Sequence, residues 1–429
     1  TKPWYLLREI RYETGDRIVQ EEVPEILEQI TSDLKRTNLF ITIDVLPVYH
    51  FEEEAQVKFV VRLEENWYIF PSVIFELADR NINEWWTEHD RSLKRINLGL
   101  AGEHVNFSGV RDVLKLKFHG GYTHKAELVY ARPALSERSR FGVRAGLQYA
   151  EFKEVAVRTE GNKLVFVKDG KRVLFRKREL STGLYYKANK FWNLDFGLSI
   201  QSNRFDSDYA LEHPDFFLEG NNRQDFGSIY LQAGFRNIDH YLKPTRGMAI
   251  AWTIKKTGLP FLDDYRFLSF SQAFKSCNHV VGKMYLQTNI QAQLGLDRNK
   301  RPYNLYKSLG YSDSNISGYE YYVIDGLDHL YINEELRYYL TQFKFNFFRI
   351  LKSEPIFRIR TEIDLAMQAN LAYVNDPFYQ EHNYLVNRWL YSTGAGLNFT
   401  VNGVIQLNVM YSVNHLKEGG LYFHTRKSF

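Results

Sequence analysis

The sequence predicts an all-β transmembrane barrel of about sixteen antiparallel strands behind a small N-terminal α+β module, and three observations predict it. The first is alternation. From Phe357 to Tyr373 the odd positions read Phe, Ile, Thr, Ile, Leu, Met, Ala, Leu, Tyr. The even positions between them carry Arg358, Arg360, Glu362, Asp364, Ala366, Gln368, Asn370 and Ala372. A period of two gives a strand one oily and one polar face. The second is recurrence: from about residue 69 no helical period persists, and strand signals return about every 22 residues. The third is connection length, because short turns such as Val401-Asn402-Gly403 and His240–Arg246 alternate with long loops at 204–224, 295–329 and 375–387. Outer-membrane barrels keep short turns on one side and long loops on the other.

The predicted strands lie near 69–79, 94–105, 112–122, 125–134, 141–155, 173–187, 192–203 and 226–238. The series continues at 247–256, 265–276, 282–294, 330–347, 357–374, 388–401, 404–415 and 421–429. Trp192, Leu194, Phe196, Leu198 and Ile200 face away from Asn193, Asp195, Gly197, Ser199 and Gln201. The first strand is the weakest because it holds Pro71, yet parity requires it. An even count returns the C-terminus to the side of the N-terminal module.

Composition fits this architecture. Among 429 residues, 29 Tyr and 31 Phe bring aromatics to 16%, while mean hydropathy is only −0.40. No run of 18 apolar residues exists, which excludes a helical span but not a barrel, where only alternate residues meet lipid. A net charge of +4 is too balanced to argue for nucleic acid. Cys277 has no internal disulfide partner. The opening Thr1-Lys2-Pro3-Trp4 lacks a charged stretch followed by an apolar one, so an envelope protein is expected here in mature or trimmed form.

Residues 1–66 read differently from the barrel at 67–429. Ile26, Ile30 and Leu34, with Leu27 beside them, make a helical stripe with Pro24 near its start. A shorter helix is predicted over Pro3–Ile10, and two strands over Phe40–His50 and Ala55–Leu63.

No nucleophile elbow, paired metal-ligand spacing or phosphate loop is present. The 12 histidines are scattered, with His119 and His124 at a predicted turn. Arg358, Arg360, Glu362 and Asp364 share one strand face at i, i+2 spacing, the pattern of a mutually paired lumen wall rather than a catalytic set. Asn333, Glu335 and Arg337 share a lumen face of the twelfth strand and are expected to hydrogen-bond a loop inserted into the barrel. Trp85-Trp86 is expected at the membrane interface. Neither enzyme activity nor a cofactor or metal is expected.

Several short motifs then fall in a specific order. They are Arg36-Thr37-Asn38-Leu39-Phe40, Trp67-Tyr68-Ile69-Phe70-Pro71, Phe75–Asn81, Leu242-Lys243-Pro244-Thr245-Arg246-Gly247 and Ile316-Ser317-Gly318-Tyr319. The chain resembles the BamA/TamA superfamily, a periplasmic POTRA module followed by a sixteen-stranded outer-membrane barrel, and in particular its short single-POTRA members of the Bacteroidota. The resemblance implies that Ile316, Ser317, Gly318 and Tyr319 form the motif of the sixth extracellular loop, folded into the lumen. It implies that Gln368, Asn370 and Ala372 form the partner motif on strand 13. Two positions depart together: the family's loop arginine is Ser317 here, and its strand aspartate is Asn370. A buried charge without its partner is costly, so joint loss is coherent. On this alignment Ser317 is expected near Asn370, and Ser317→Arg with Asn370→Asp should be tolerated better than Ser317→Arg alone. A POTRA module also opens with a strand, whereas this sequence opens in its first predicted helix, so one strand of its sheet is expected from residues ahead of Thr1 or from another chain.

The resemblance implies an outer-membrane assembly or translocation factor with its N-terminal domain in the periplasm. Its expected partners are outer-membrane lipid, unfolded outer-membrane or secreted clients and accessory subunits. The working element would be the seam of strands 1 and 16, carrying Pro71, Val73, Phe75, Leu421, Phe423 and Phe429. Pro71 removes a ladder donor, and the last strand is only about nine residues long. An opened edge can template an extended client. The competing reading is a closed barrel that serves as a structural or docking subunit; a diffusion pore ranks last, since the long sixth loop would plug it.

Overall fold

A computed structural model describes residues 1–429 apart from 36, 38, 52–54, 137–138, 241, 260–264, 312–313, 347–357, 404 and 428–429. The chain opens with helices α1 (Pro3–Glu9) and α2 (Val23–Lys35), then strands β1 (Phe40–Phe51) and β2 (Ala55–Glu65). The two strands pair antiparallel. The α2 stripe works as its spacing predicts: Ile26, Ile30 and Leu34 are buried against Ile43, Val45, Phe59, Val61 and Leu63. The module rests on the barrel. Tyr5 of α1 packs with Leu39 and Val110, and Arg8 donates to the Ser139 carbonyl at 3.3 Å.

Sixteen strands then form one antiparallel sheet in chain order, broken only by an inserted hairpin. They begin with β3 (Ile69–Leu77), β4 (Ile96–Val105), β5 (Val113–Gly121), β6 (Thr123–Arg132) and β7 (Phe141–Phe152). The hairpin β8 (Glu154–Glu160) and β9 (Lys163–Lys168) stands apart as its own two-stranded sheet. The barrel resumes with β10 (Phe175–Lys187), β11 (Trp192–Phe205), β12 (Arg223–Ile238), β13 (Gly247–Thr257), β14 (Phe267–Val281) and β15 (Met284–Gly295). It ends with β16 (Asp328–Asn346), β17 (Arg358–Asn375), β18 (Trp389–Val401), β19 (Ile405–Asn414) and β20 (Gly419–Lys427). Two short helices sit in loops, α3 (Ile82–Thr87) after β3 and α4 (Ser207–Glu212) after β11.

Each of the sixteen strands lies where alternation predicts one. Along β17 the outward Leu365, Met367 and Leu371 are 42%, 56% and 38% exposed, while the inward Asp364, Ala366, Asn370 and Ala372 are buried. Inversion of the usual soluble arrangement, with oil outside and polar groups inside, is the physical signature of a barrel in lipid. At the loop end the lumen is filled with protein. One apolar cluster joins Leu309, Ile316, Tyr319 and Ile324 to Tyr331, Ala372, Val374 and Leu390 of the wall. A second joins Val155 and Val157 of the hairpin to Phe205, Phe216, Phe217 and Tyr303.

Candidate functional site at the seam and the inserted loop

The sheet has two edges, β3 and β20, and among the described residues no ladder joins them. Pro71 lies in β3 opposite Gly102 of β4, on an edge strand, where a missing N–H is tolerated. Val73 and Phe75 on β3, and Leu421 and Phe423 on β20, all point outward, at 77%, 65%, 55% and 39% exposure. The two strands that the sequence assigns to the seam are thus the two ends of the sheet, and among the described residues β20 is paired only to β19. Phe429 falls outside the described residues.

The free edge of β20 is met by a side chain instead. The Asn83 carboxamide on α3 accepts from the Phe423 N–H at 2.9 Å and donates to the Phe423 carbonyl at 3.2 Å. A carboxamide carries one acceptor and a donor group, so it satisfies the two backbone groups that a neighbouring strand would take. Asn83 is 5% exposed. Local sequence explains its position. Asn81 caps α3 by accepting from the Glu84 N–H at 2.9 Å, and Glu84 three residues on follows the capping-box spacing. Arg80 pairs with Glu84 at 3.0 Å and donates to the carbonyls of Gly310 and Tyr322 at 2.7 and 3.0 Å. The Asn81 amide donates to the Glu320 carbonyl at 2.8 Å. Loop one, residues 78–95 between β3 and β4, is thus clasped to loop six, residues 296–327 between β15 and β16. Glu320 reaches the edge strand as well, its carboxylate 3.0 Å from His424 Nε2 on β20.

Loop six packs against the inner wall of the barrel. Ile316, Ser317 and Tyr319 are buried, and Leu309 and Ile324 exchange backbone hydrogen bonds across the loop. Gly318 has φ +89°, which favours glycine, and a Cβ there would crowd Ser392 Cβ at 3.1 Å. Asn414 donates to the Gly318 carbonyl at 2.8 Å, and Tyr319 donates to the Tyr391 carbonyl at 3.0 Å. The Gln368 amide donates directly to Ser317 Oγ, which also lies 2.9 Å from Ser412 Oγ. Asn370 is one step removed. Its amide donates to Ser392 Oγ at 3.1 Å, and Ser392 in turn donates to the Ser317 carbonyl. The direct partner of Ser317 is therefore Gln368 rather than Asn370, while Ala372 is fully buried in the apolar cluster beneath the loop.

The lumen trio on β16 does not hold the loop in the way the sequence suggests. Asn333 donates to Asn370 Oδ1 at 2.9 Å and accepts from Asn289 at 2.9 Å, and Glu335 accepts from Asn398 at 3.0 Å. Arg337 donates to the Pro244 carbonyl, at the opposite end of the barrel from loop six. Long side chains on an inward face reach neighbouring strands before they reach a loop inserted from the far end. The Pro244 turn itself folds inward: Lys243 pairs with Glu362 at 2.7 Å and with Asp364 at 2.9 Å. Of the tryptophan pair, Trp86 is 58% exposed, whereas Trp85 donates to the Ser92 carbonyl at 3.0 Å and is turned inward.

Sequence reasoning did not find Asn83, α3 or the β8–β9 hairpin. Two signals were available: the Asn81–Glu84 capping pattern, and Gly161-Asn162 between alternating apolar residues, a hairpin turn signature. In the structure Asn162 accepts from the Val323 N–H at 2.8 Å and donates to the Val323 carbonyl at 3.2 Å, which docks the hairpin onto loop six. Asp325 is held there by Thr159 at 2.5 Å and Tyr311 at 2.8 Å. Burial pushes its carboxyl above the ordinary aspartate value, although the Thr159, Tyr311 and Tyr303 hydroxyls and Lys307 oppose the shift.

No family model and no curated protein sequence matches the chain. Solved structures do. BamA from Haemophilus ducreyi lacking POTRA domains 1–3 superposes with a TM-score of 0.63 at 14% identity, covering 98% of this chain and 80% of that one. CdiB from Escherichia coli gives 0.57 at 12% identity, over 98% and 73% of the two chains. CdiB from Acinetobacter baumannii gives 0.55 at 10% identity, over 99% and 72%. At these identities the similarity establishes the fold: a sixteen-stranded barrel with a small N-terminal module, of the kind found in BamA and CdiB.

Proposed function

We propose that this chain is an outer-membrane factor for barrel assembly or protein translocation, acting without a catalytic step through the edge of β20. One observation carries the reading. The backbone of Phe423 is held by the Asn83 side chain rather than by β3. Releasing one carboxamide costs only about 1 kcal/mol per hydrogen bond, far less than unzipping a ladder. The freed edge can then take up an extended client strand. On this reading the N-terminal module, which packs against the β4–β5 and β6–β7 turns, delivers such a segment from the periplasmic side. Likeness in fold to BamA and CdiB supports the same class of activity and the outer-membrane location.

A second reading, a non-inserting docking subunit, is favoured by the neutral contacts of Ser317 with Gln368 and Ser412 where the resemblance implies a charged pair. Cross-linking separates the two. Cysteine pairs joining β3 or α3 to β20, scanned in a Cys277→Ser background in native membranes, lock the edge. Loss of other outer-membrane proteins on locking, restored by reductant, is expected. Unchanged levels in a fully locked protein would sink the insertase reading and leave the docking subunit.

A further inference from the structure

The outward face of β4–β12 carries a feature that seam chemistry does not use. Near the loop end the ladders align Leu100, Phe118, Ala126, Tyr149, Arg178, Ser202 and Asp225 in one row across seven strands. The next row toward the loops contains Glu151, Arg176, Arg204 and Arg223. On the β4–β7 side the first of these rows borders a shallow, open recess of about 450 Å³. It is lined by Leu98, Leu100, Phe118, Ala126 and Tyr149, with the His124 ring beside Gly120. Leu98, Leu100 and Phe118 are 58%, 66% and 54% exposed, so the recess opens outward to the membrane.

Arginines border this apolar recess. The Arg178 guanidinium lies 5.9 Å from the centre of the Tyr149 ring that forms one wall. Arg176 pairs with Glu151 at 3.2 Å, and the Tyr149 hydroxyl donates to the same carboxylate oxygen at 2.5 Å. Arg204 and Arg223 share Asp225. Four arginines therefore face two carboxylates in a band that looks out of the barrel. Below it, Leu147, Leu180 and Ile200 begin the apolar belt. Charge in that position is costly against hydrocarbon and favourable only at the headgroup level. Guanidinium groups match phosphate oxygens by paired donation, and a recess of this shape accepts hydrocarbon.

We infer that this surface is a binding site for a phosphorylated, acylated lipid of the leaflet at the loop end: its phosphate would sit on Arg176 and Arg178, and an acyl chain would fill the recess at Ala126. The inference is independent of whether the seam opens. It also gives this sector of the barrel, several strands away from β20, a fixed depth in the membrane.

Native mass spectrometry of the delipidated full chain tests it. The probes are dimyristoyl phosphatidic acid, dimyristoyl phosphatidylcholine and inorganic phosphate. The expected result is a preference for the phosphatidic acid on the order of thirtyfold, which corresponds to about 1 kcal/mol for each of Arg176 and Arg178. Arg176→Gln with Arg178→Gln should abolish that preference while phosphatidylcholine binding is unchanged. Ala126→Phe, which fills the recess, should weaken both lipids. Heat-modified gel mobility identifies the folded variants. Equal binding of the two lipids to the parent chain, or a preference that survives in the double variant, would overturn the site. So would inorganic phosphate that binds as tightly as the phosphatidic acid, since the acyl chain would then contribute nothing.

Discussion

Ser317 is the residue whose neighbours decide how loop six is held. It sits in a buried polar knot with Gln368, Ser392 and Ser412, none of them charged. An arginine placed there alone would bury a charge without a partner, at a cost of about 3–5 kcal/mol. Because the direct contact is Gln368, the compensating acid belongs at Gln368 rather than at Asn370. Ser317→Arg should lower the thermal unfolding midpoint by several degrees. Ser317→Arg with Gln368→Glu should recover more of the loss than Ser317→Arg with Asn370→Asp. Equal recovery by the two double variants would refute this assignment of partners. The two-residue offset was not legible in the sequence, since residues 368 and 370 share one strand face and alternation treats them alike.

At the scale of elements, loop six is fixed by the hairpin β8–β9 on one side and by loop one on the other. Asp325 ties it to the hairpin, and its carboxyl is raised by burial. A group whose folded pKa lies above its unfolded value favours docking at low pH. Its contribution is complete below the ordinary aspartate value of 3.8 and is lost as pH rises through the higher folded value. Protease cleavage within loop six should therefore slow as pH falls through that raised value, after correction for the protease's own profile. Asp325→Asn should remove that dependence; identical slopes for the two proteins would show that Asp325 is not responsible. The strands were legible in the sequence because lipid on one side and polar lumen on the other impose strict alternation. The small loop elements were not, because their stability comes from contacts such as Asn162 with Val323 and Arg80 with Gly310 that are remote in sequence.

At the scale of the whole molecule, a barrel must resolve its two edges. Here the apolar face continues across both, through Val73, Phe75, Leu421 and Phe423, while the hydrogen bonding does not. Loop one, loop six and β20 meet at Asn83, Glu320 and His424, so the plug of the lumen and the edge strand are mechanically one unit. The sequence pointed to the correct two strands through Pro71 and the short last segment. It could not show that a side chain of loop one takes the free edge of β20, since an asparagine that substitutes for a strand leaves no periodic trace. Hydrogen exchange along the sheet tests this arrangement most directly. The account expects the β20 amides, Phe423 among them, to exchange faster than those of β17, and Asn83→Ala to accelerate β20 about thirtyfold further, from roughly 1 kcal/mol for each of the two lost hydrogen bonds. Protection of β20 equal to that of β17, and unaltered by Asn83→Ala, would mean a zipped barrel and would contradict the account.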